Sequence, residues 1–214
     1  MKAEEGYVKY NAVHHNGDAP CHQDLALLDS MRTELYDLGF IGEYDNGISY
    51  GNISIRDASN DNCFIVSGTG TGKIRCLGSS GYCLVTEFNI YSNLVESIGP
   101  LQASSESMTH GAIYMARSSI NCVIHIHSRI LFHALLANNF FSTPADLAYG
   151  TPELAVFVTN LVANISKDKA LFVMKGHEDG IFIYASSVME TRSLFFDTIS
   201  DLEITGNQNR GILL

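Results

Sequence analysis

Cys122-Val123-Ile124-His125-Ile126-His127-Ser128 is the stretch that decides how this chain is read. The run alternates and is rich in β-branched residues, the pattern of a buried strand. Side chains at i and i+2 of a strand share a face. His125 and His127 therefore project side by side from a rigid support. Two such imidazoles are half of a site for Zn²⁺ or another borderline divalent ion. The other reading of the pair is hydrogen-bonded core histidines. A zinc site needs a third protein ligand, and a catalytic one keeps a fourth position open. His177 is the best placed candidate. It lies between Gly176 and Gly180 in a predicted strand-to-strand turn, and loops on rigid scaffolds tend to carry function. His133, inside a predicted helix, and His110, four residues after Glu106, are alternatives. His14, His15 and His22 read as solvent-exposed.

Working outward, 214 residues with a net charge of −10 suffice for one domain with a substantial core. The expected division is a polar lead-in over 1–21 and a single domain over 22–214. The charge argues against a nucleic-acid partner. No apolar run approaches a membrane span, and the first ten residues lack the pattern of a signal peptide. Five cysteines with no Cys-x-x-Cys pair argue against a disulfide framework and for a reducing cytoplasm.

Residues 1–20 read as a loosely ordered lead-in. The periodicity predicts helices over about 23–38, 104–116, 130–137, 152–165 and 187–202. Strands are expected over 52–56, 63–66, 82–86, 89–95, 122–128, 170–174 and 180–184, with a turn over 57–62. Adjacent hairpin-like strands with interspersed helices indicate helices packed around a mainly antiparallel sheet.

Glu106 is the natural acid/base candidate, since a carboxylate in a first helical turn is stabilised there and can also move a proton. Ser104 and Ser105, with the N–H groups of the same helix start, suit an anion such as phosphate. The loop Ser67-Gly68-Thr69-Gly70-Thr71-Gly72-Lys73 offers a second set of free N–H groups and hydroxyls. That loop is not a P-loop, because Ser replaces the first glycine and Ile74 follows Lys73. It is not a dinucleotide fingerprint either, because its third glycine comes too early. Gly47-Ile48-Ser49-Tyr50-Gly51 has the letters of a nucleophile elbow, but a strand follows where a helix is required.

Taken together these pieces resemble the class II aldolase/adducin family. The segments that carry the resemblance are Gly51-Asn52-Ile53-Ser54-Ile55-Arg56-Asp57, Ser67-Gly68-Thr69-Gly70, Ser104-Ser105-Glu106 with His110, and His125-Ile126-His127-Ser128. Gly176-His177-Glu178-Asp179-Gly180 resembles a variant of the family's Asn-His-Gly turn, and Tyr149-Gly150-Thr151-Pro152-Glu153-Leu154 the lead into its next helix. The resemblance implies a three-layer α/β/α fold around a mainly antiparallel sheet. It implies Zn²⁺ held by His125, His127 and His177, with Glu106 as the acid/base residue. Substrate phosphate is expected among Asn52, Thr69, Gly70, Ser104 and Ser105. The implied activity is that of a lyase that breaks or forms a C–C bond in a small phosphorylated sugar or ketose through an enediolate. A dehydratase or epimerase using the same metal, and a non-catalytic assembly protein like adducin, are the alternatives. A homotetramer with sites at subunit boundaries is expected from the same resemblance. The sequence departs from the family pattern at the acidic pair Glu178-Asp179. It also leaves 37 residues after His177, so a short tail is expected, without the catalytic tyrosine that some members carry there. Tyr184 reads as core.

Overall fold

A computed structural model of the chain describes residues 7–57, 59–60 and 62–202. Parts of the expected lead-in, of the 57–62 turn and of the domain's C-terminal end lie outside these. The strands are β1 (Asn11–Asn16), β2 (Gly42–Glu43), β3 (Ser49–Tyr50), β4 (Asn52–Arg56), β5 (Phe64–Ser67), β6 (Tyr82–Asn89), β7 (Leu94–Gly99), β8 (Cys122–His127), β9 (Ser142–Thr143), β10 (Ala170–Met174) and β11 (Gly180–Ala185). The helices are α1 (Leu25–Asp37), α2 (Ser107–Ala116), α3 (Arg129–Ala137), α4 (Pro152–Asn164) and α5 (Val188–Asp201). Nine strands form one sheet in the order β1-β7-β6-β5-β4-β8-β11-β10-β9, and β2 pairs with β3 apart from it. The sheet is antiparallel except at its margins, where β1 joins β7 and β9 joins β10 in parallel.

Period-2 alternation divides the sheet's two faces. Ile53, Ile55, Ile124, Ile126, Ile181 and Ile183 bury one face against α1, α3 and α5, through side chains such as Leu28, Leu135 and Phe195. Val66, Val85, Val123, Phe172 and Phe182 bury the other against α2 and α4, through Met108, Ile113, Val158 and Val162. This is the expected three-layer α/β/α architecture. His125 and His127 share the parity of Val123, so they point toward the α2/α4 layer. Tyr184 packs into the same layer as core, as expected.

Local chemistry sets the element ends. Ser128, Thr151 and Ser187 accept the N–H groups of Leu131, Leu154 and Glu190 and cap α3, α4 and α5; each such cap stabilises by about 1 kcal/mol. Three expected elements shift. The strand expected over 82–86 runs on to Asn89. The strand expected over 89–95 begins only at Leu94, because the Asn89 side chain accepts the N–H groups of Tyr91 and Ser92 and closes a turn. The helix expected from Ser104 begins at Ser107, after a turn in which Ser107 N–H donates to Ser104 O. The lead-in also differs, since residues 11–16 form an edge strand in register with 94–99.

Candidate active site

β8 carries His125 and His127, and the turn between β10 and β11 carries His177. Their Nε2 atoms converge: His125 and His127 lie 3.0 Å apart, and His127 and His177 lie 3.1 Å apart. All three are buried, and their ligand atoms lie within 4.8 Å of one another. Two glycines make room for this. A Cβ at Gly176 would sit 1.9 Å from Leu147 O, so the turn packs its bare backbone on the segment leading to Tyr149. A Cβ at Gly180 would meet His177 Cδ2 at 2.6 Å and His125 Cε1 at 3.1 Å. Tyr149 covers His177, with ring centroids 4.5 Å apart.

The outer ring nitrogens of His125 and His127 are engaged as well. His125 Nδ1–H donates to Ile181 O at 3.2 Å, which leaves its Nε2 lone pair facing inward. The Tyr44 hydroxyl lies 3.0 Å from His127 Nδ1. Such outer partners fix the tautomer and orientation of a ligating imidazole. Burial pushes His177 down to about 3, and holds His125 and His127 well below the ordinary imidazole range, with neighbouring histidines adding to the effect. All three are therefore neutral, the form that binds metal. One proton can bridge a single pair of these nitrogens, whereas a divalent cation takes all three lone pairs. The donor set fits a borderline ion such as Zn²⁺.

Glu106 occupies the N-cap position of α2 but makes no capping bond. The Thr109 hydroxyl donates to its Oε2 at 2.9 Å, and its Oε1 lies 3.7 Å from His177 Nε2. The carboxylate thus faces the histidines. Asn52, Thr69, Gly70, Ser104 and Ser105 all line one adjoining cavity of about 370 Å³. The antiparallel bridge of Gly68 with Ala103, and the bond from Thr69 N–H to Gln102 O, bring the two loops together. Asn52 and Ser105 also line the space beside the histidines, so the two regions adjoin.

The other histidines stand elsewhere. His133 is exposed on α3. His110 is buried and bonds Asn52 and Ser54, outside the three-histidine group. His14 meets Ser97, His15 meets Glu96, and His22 accepts Asp24 N–H; His14 and His22 are half-buried, so the expectation of exposure holds for His15. Glu178 is exposed, and the half-buried Asp179 feels Arg129 and His133 on α3. Neither joins the histidine group among the described residues.

Sequence reasoning missed two contributors. Arg32 on α1, fully buried, donates to Thr71 O, Ile74 O and Arg75 O and anchors the end of the glycine-rich loop. Its signal was there: position 32 falls on the apolar stripe of Leu28 and Leu35. Lys9 places its ammonium 3.4 Å from the centroid of the Tyr149 ring, and no pattern in the polar lead-in announces it.

Residues 43–198 match the model of the class II aldolase and adducin N-terminal domain, and the chain belongs to that family. Solved structures agree with the fold. YgbL from Klebsiella pneumoniae, a candidate aldolase/epimerase/decarboxylase, is 18% identical with a TM-score of 0.60 over 86% of each chain. An L-fuculose 1-phosphate aldolase is 18% identical with a TM-score of 0.58, over 87% of this chain and 86% of its own. The L-fuculose-1-phosphate aldolase from Thermus thermophilus is 18% identical with a TM-score of 0.54, over 85% of this chain and 90% of its own. Comparison with curated protein sequences finds no match.

Proposed function

We propose that this chain is a metal-dependent lyase of aldolase type, acting on a small phosphorylated sugar or ketose. The observation that carries the reading is the convergence of three neutral Nε2 atoms beside a buried carboxylate, next to a cavity lined by hydroxyl, amide and backbone donors. His125, His127 and His177 would hold the ion, with zinc the expected metal. When bound, it supplies Lewis-acid polarisation of a carbonyl oxygen, which stabilises the negative charge released as a C–C bond breaks.

The remaining work falls to the chain. Ser104, Ser105, Thr69, Gly70 and Asn52 hold the phosphate and set the distance from it to the histidines. Glu106, with Oε2 tied to Thr109, presents Oε1 to the carbon next to the carbonyl. It delivers a proton there after cleavage and removes one in the reverse direction. Burial of the carboxylate and the histidines keeps bulk water from that carbon.

Proton exchange at the carbon next to the carbonyl tests this reading without requiring the second substrate. Zinc-loaded protein in deuterated water should exchange that proton of a ketose phosphate. Glu106→Gln should keep its metal and slow exchange by roughly 10²–10⁴-fold. Unchanged exchange in the variant would remove Glu106 from the mechanism. Metal-loaded wild type that exchanges no proton on any ketose phosphate offered would contradict the lyase reading.

A further inference from the structure

Asn52 lines both the anion cavity and the histidine space. Which end of its carboxamide faces them follows from counting protons behind it. Four polar groups run in series beneath α2. The Tyr114 hydroxyl lies 2.7 Å from Ser54 Oγ, Ser54 Oγ lies 2.7 Å from His110 Nδ1, and His110 Nε2 lies 2.6 Å from Asn52 Oδ1. All four residues are buried, Ser54 and His110 completely. Burial drives the His110 pKa down to about 3, so the imidazole is neutral and has one N–H and one bare nitrogen.

Tyr114 sets the direction. Its hydroxyl bonds the Val123 backbone, which favours the ionised phenol as an N–H donor does, so the hydroxyl hydrogen goes to its other partner, Ser54 Oγ. Ser54 then sends its own hydrogen to His110 Nδ1. With Nδ1 accepting, the imidazole proton sits on Nε2 and donates to Asn52 Oδ1. The Asn52 NH₂ is left turned toward the cavity. In the opposite polarity the amide donates to Nε2, Nδ1–H donates to Ser54, and Ser54 donates to Tyr114. One hydroxyl hydrogen, that of Tyr114 or, where Ser54 accepts from both neighbours, that of Ser54, then finds no acceptor among the described residues, and a buried donor left unpaired is disfavoured. An asparagine without this backing could present either its oxygen or its nitrogen to the cavity.

We propose that Tyr114, Ser54 and His110 form a positioning relay that locks the Asn52 amide with its NH₂ toward the ligand, so that this wall of the cavity selects an anion. The inference rests on the phosphate reading of that cavity. His110 is then a polarity-setting residue and serves the anion site through Asn52. Asn52 is also the cross-strand neighbour of His125, so the locked donor stands beside the histidines.

The test is a double-mutant cycle read by calorimetry, with inorganic phosphate as the probe on zinc-loaded full-length protein. Ser54→Ala should weaken phosphate binding by roughly 5–10-fold, the value of a hydrogen bond of this kind. Asn52→Ala should weaken it at least as much. The double variant should bind no more weakly than Asn52→Ala alone, because Ser54 acts through Asn52. Zinc content should stay at the wild-type level in all of them. Tyr114→Phe, which removes one hydroxyl and keeps the ring, should weaken binding in the same sense and serves if Ser54→Ala fails to fold. Wild-type affinity in Ser54→Ala or in Tyr114→Phe, or strictly additive losses in the double variant, would overturn the relay. Absence of phosphate binding by the wild type would instead overturn the phosphate reading beneath it.

Discussion

Gly180→Ala puts a single methyl group between two of the converging imidazoles. Gly180 lies outside the left-handed backbone region, so alanine brings no backbone penalty, and its N–H can still donate to His177 O. The consequence is steric. The new Cβ would stand 2.6 Å from His177 Cδ2, and relief to an ordinary 3.4 Å contact moves that ring by about 0.8 Å. The Tyr149 ring, its centroid 4.5 Å from that of His177, limits the room for that movement. Metal sites hold their ligand distances to within roughly ±0.2 Å, so the displacement exceeds what the site tolerates. The expected loss of metal affinity is about 10–100-fold, the range for disturbing the support of a ligand, equivalent to about 1.4–2.7 kcal/mol. Overpacking should also lower stability by about 1–3 kcal/mol. Competition titration with a chromophoric zinc chelator reads the first quantity and urea unfolding of the metal-free protein the second. Wild-type zinc affinity in a folded Gly180→Ala protein would refute the placement of His125 and His177 around a shared ion.

Arg32→Met keeps the apolar stem but removes the donors to Thr71 O, Ile74 O and Arg75 O. It should destabilise the fold by about 3 kcal/mol in urea unfolding and weaken phosphate binding by loosening the loop; a change under about 1 kcal/mol would show that the loop holds itself. His110 gives a pH signature. Its pKa falls from an ordinary 6.5 to about 3 in the fold. Between those values the unfolded chain binds the extra proton, so His110 costs stability as pH falls through that window, by up to about 1.4 kcal/mol per pH unit. His110→Asn should shed that increment of the pH slope, and an identical slope in the two proteins would show that His110 is not neutral in the fold.

The middle of this fold was legible because its signals are local. The alternation through 122–127 and 52–56 names both faces of the central strands, and the same parity that buries Ile124 and Ile126 places His125 and His127 together. His177 was legible because two glycines bracket it in a short turn. What failed depends on distant partners. β1 is largely exposed and polar and shows no alternation of its own. It exists because β7 offers an edge, and because the Tyr10 hydroxyl donates to Ala103 O and Ser104 O nearly a hundred residues on. Lys9 reaches the site through that docking. Ser104 and Ser105 looked like the first turn of a helix, but the Ser107 N–H bond to Ser104 O closes a separate turn ahead of it. Arg32 sat in plain view on an apolar stripe, and a charge there marks a group with carbonyl oxygens to satisfy. The relay behind Asn52 joins β4 to α2 across more than fifty residues, a pairing that no spacing rule suggests.

Everything proposed for the site depends on His125, His127 and His177 holding one divalent ion. The most direct measurement is metal content per chain, by elemental mass spectrometry, of protein purified without chelator, with His177→Ala alongside. About one zinc per chain is expected in the wild type, and its loss in the variant. A wild type that carries no metal and takes up none on adding Zn²⁺, or a His177→Ala protein that retains a full complement, would contradict it.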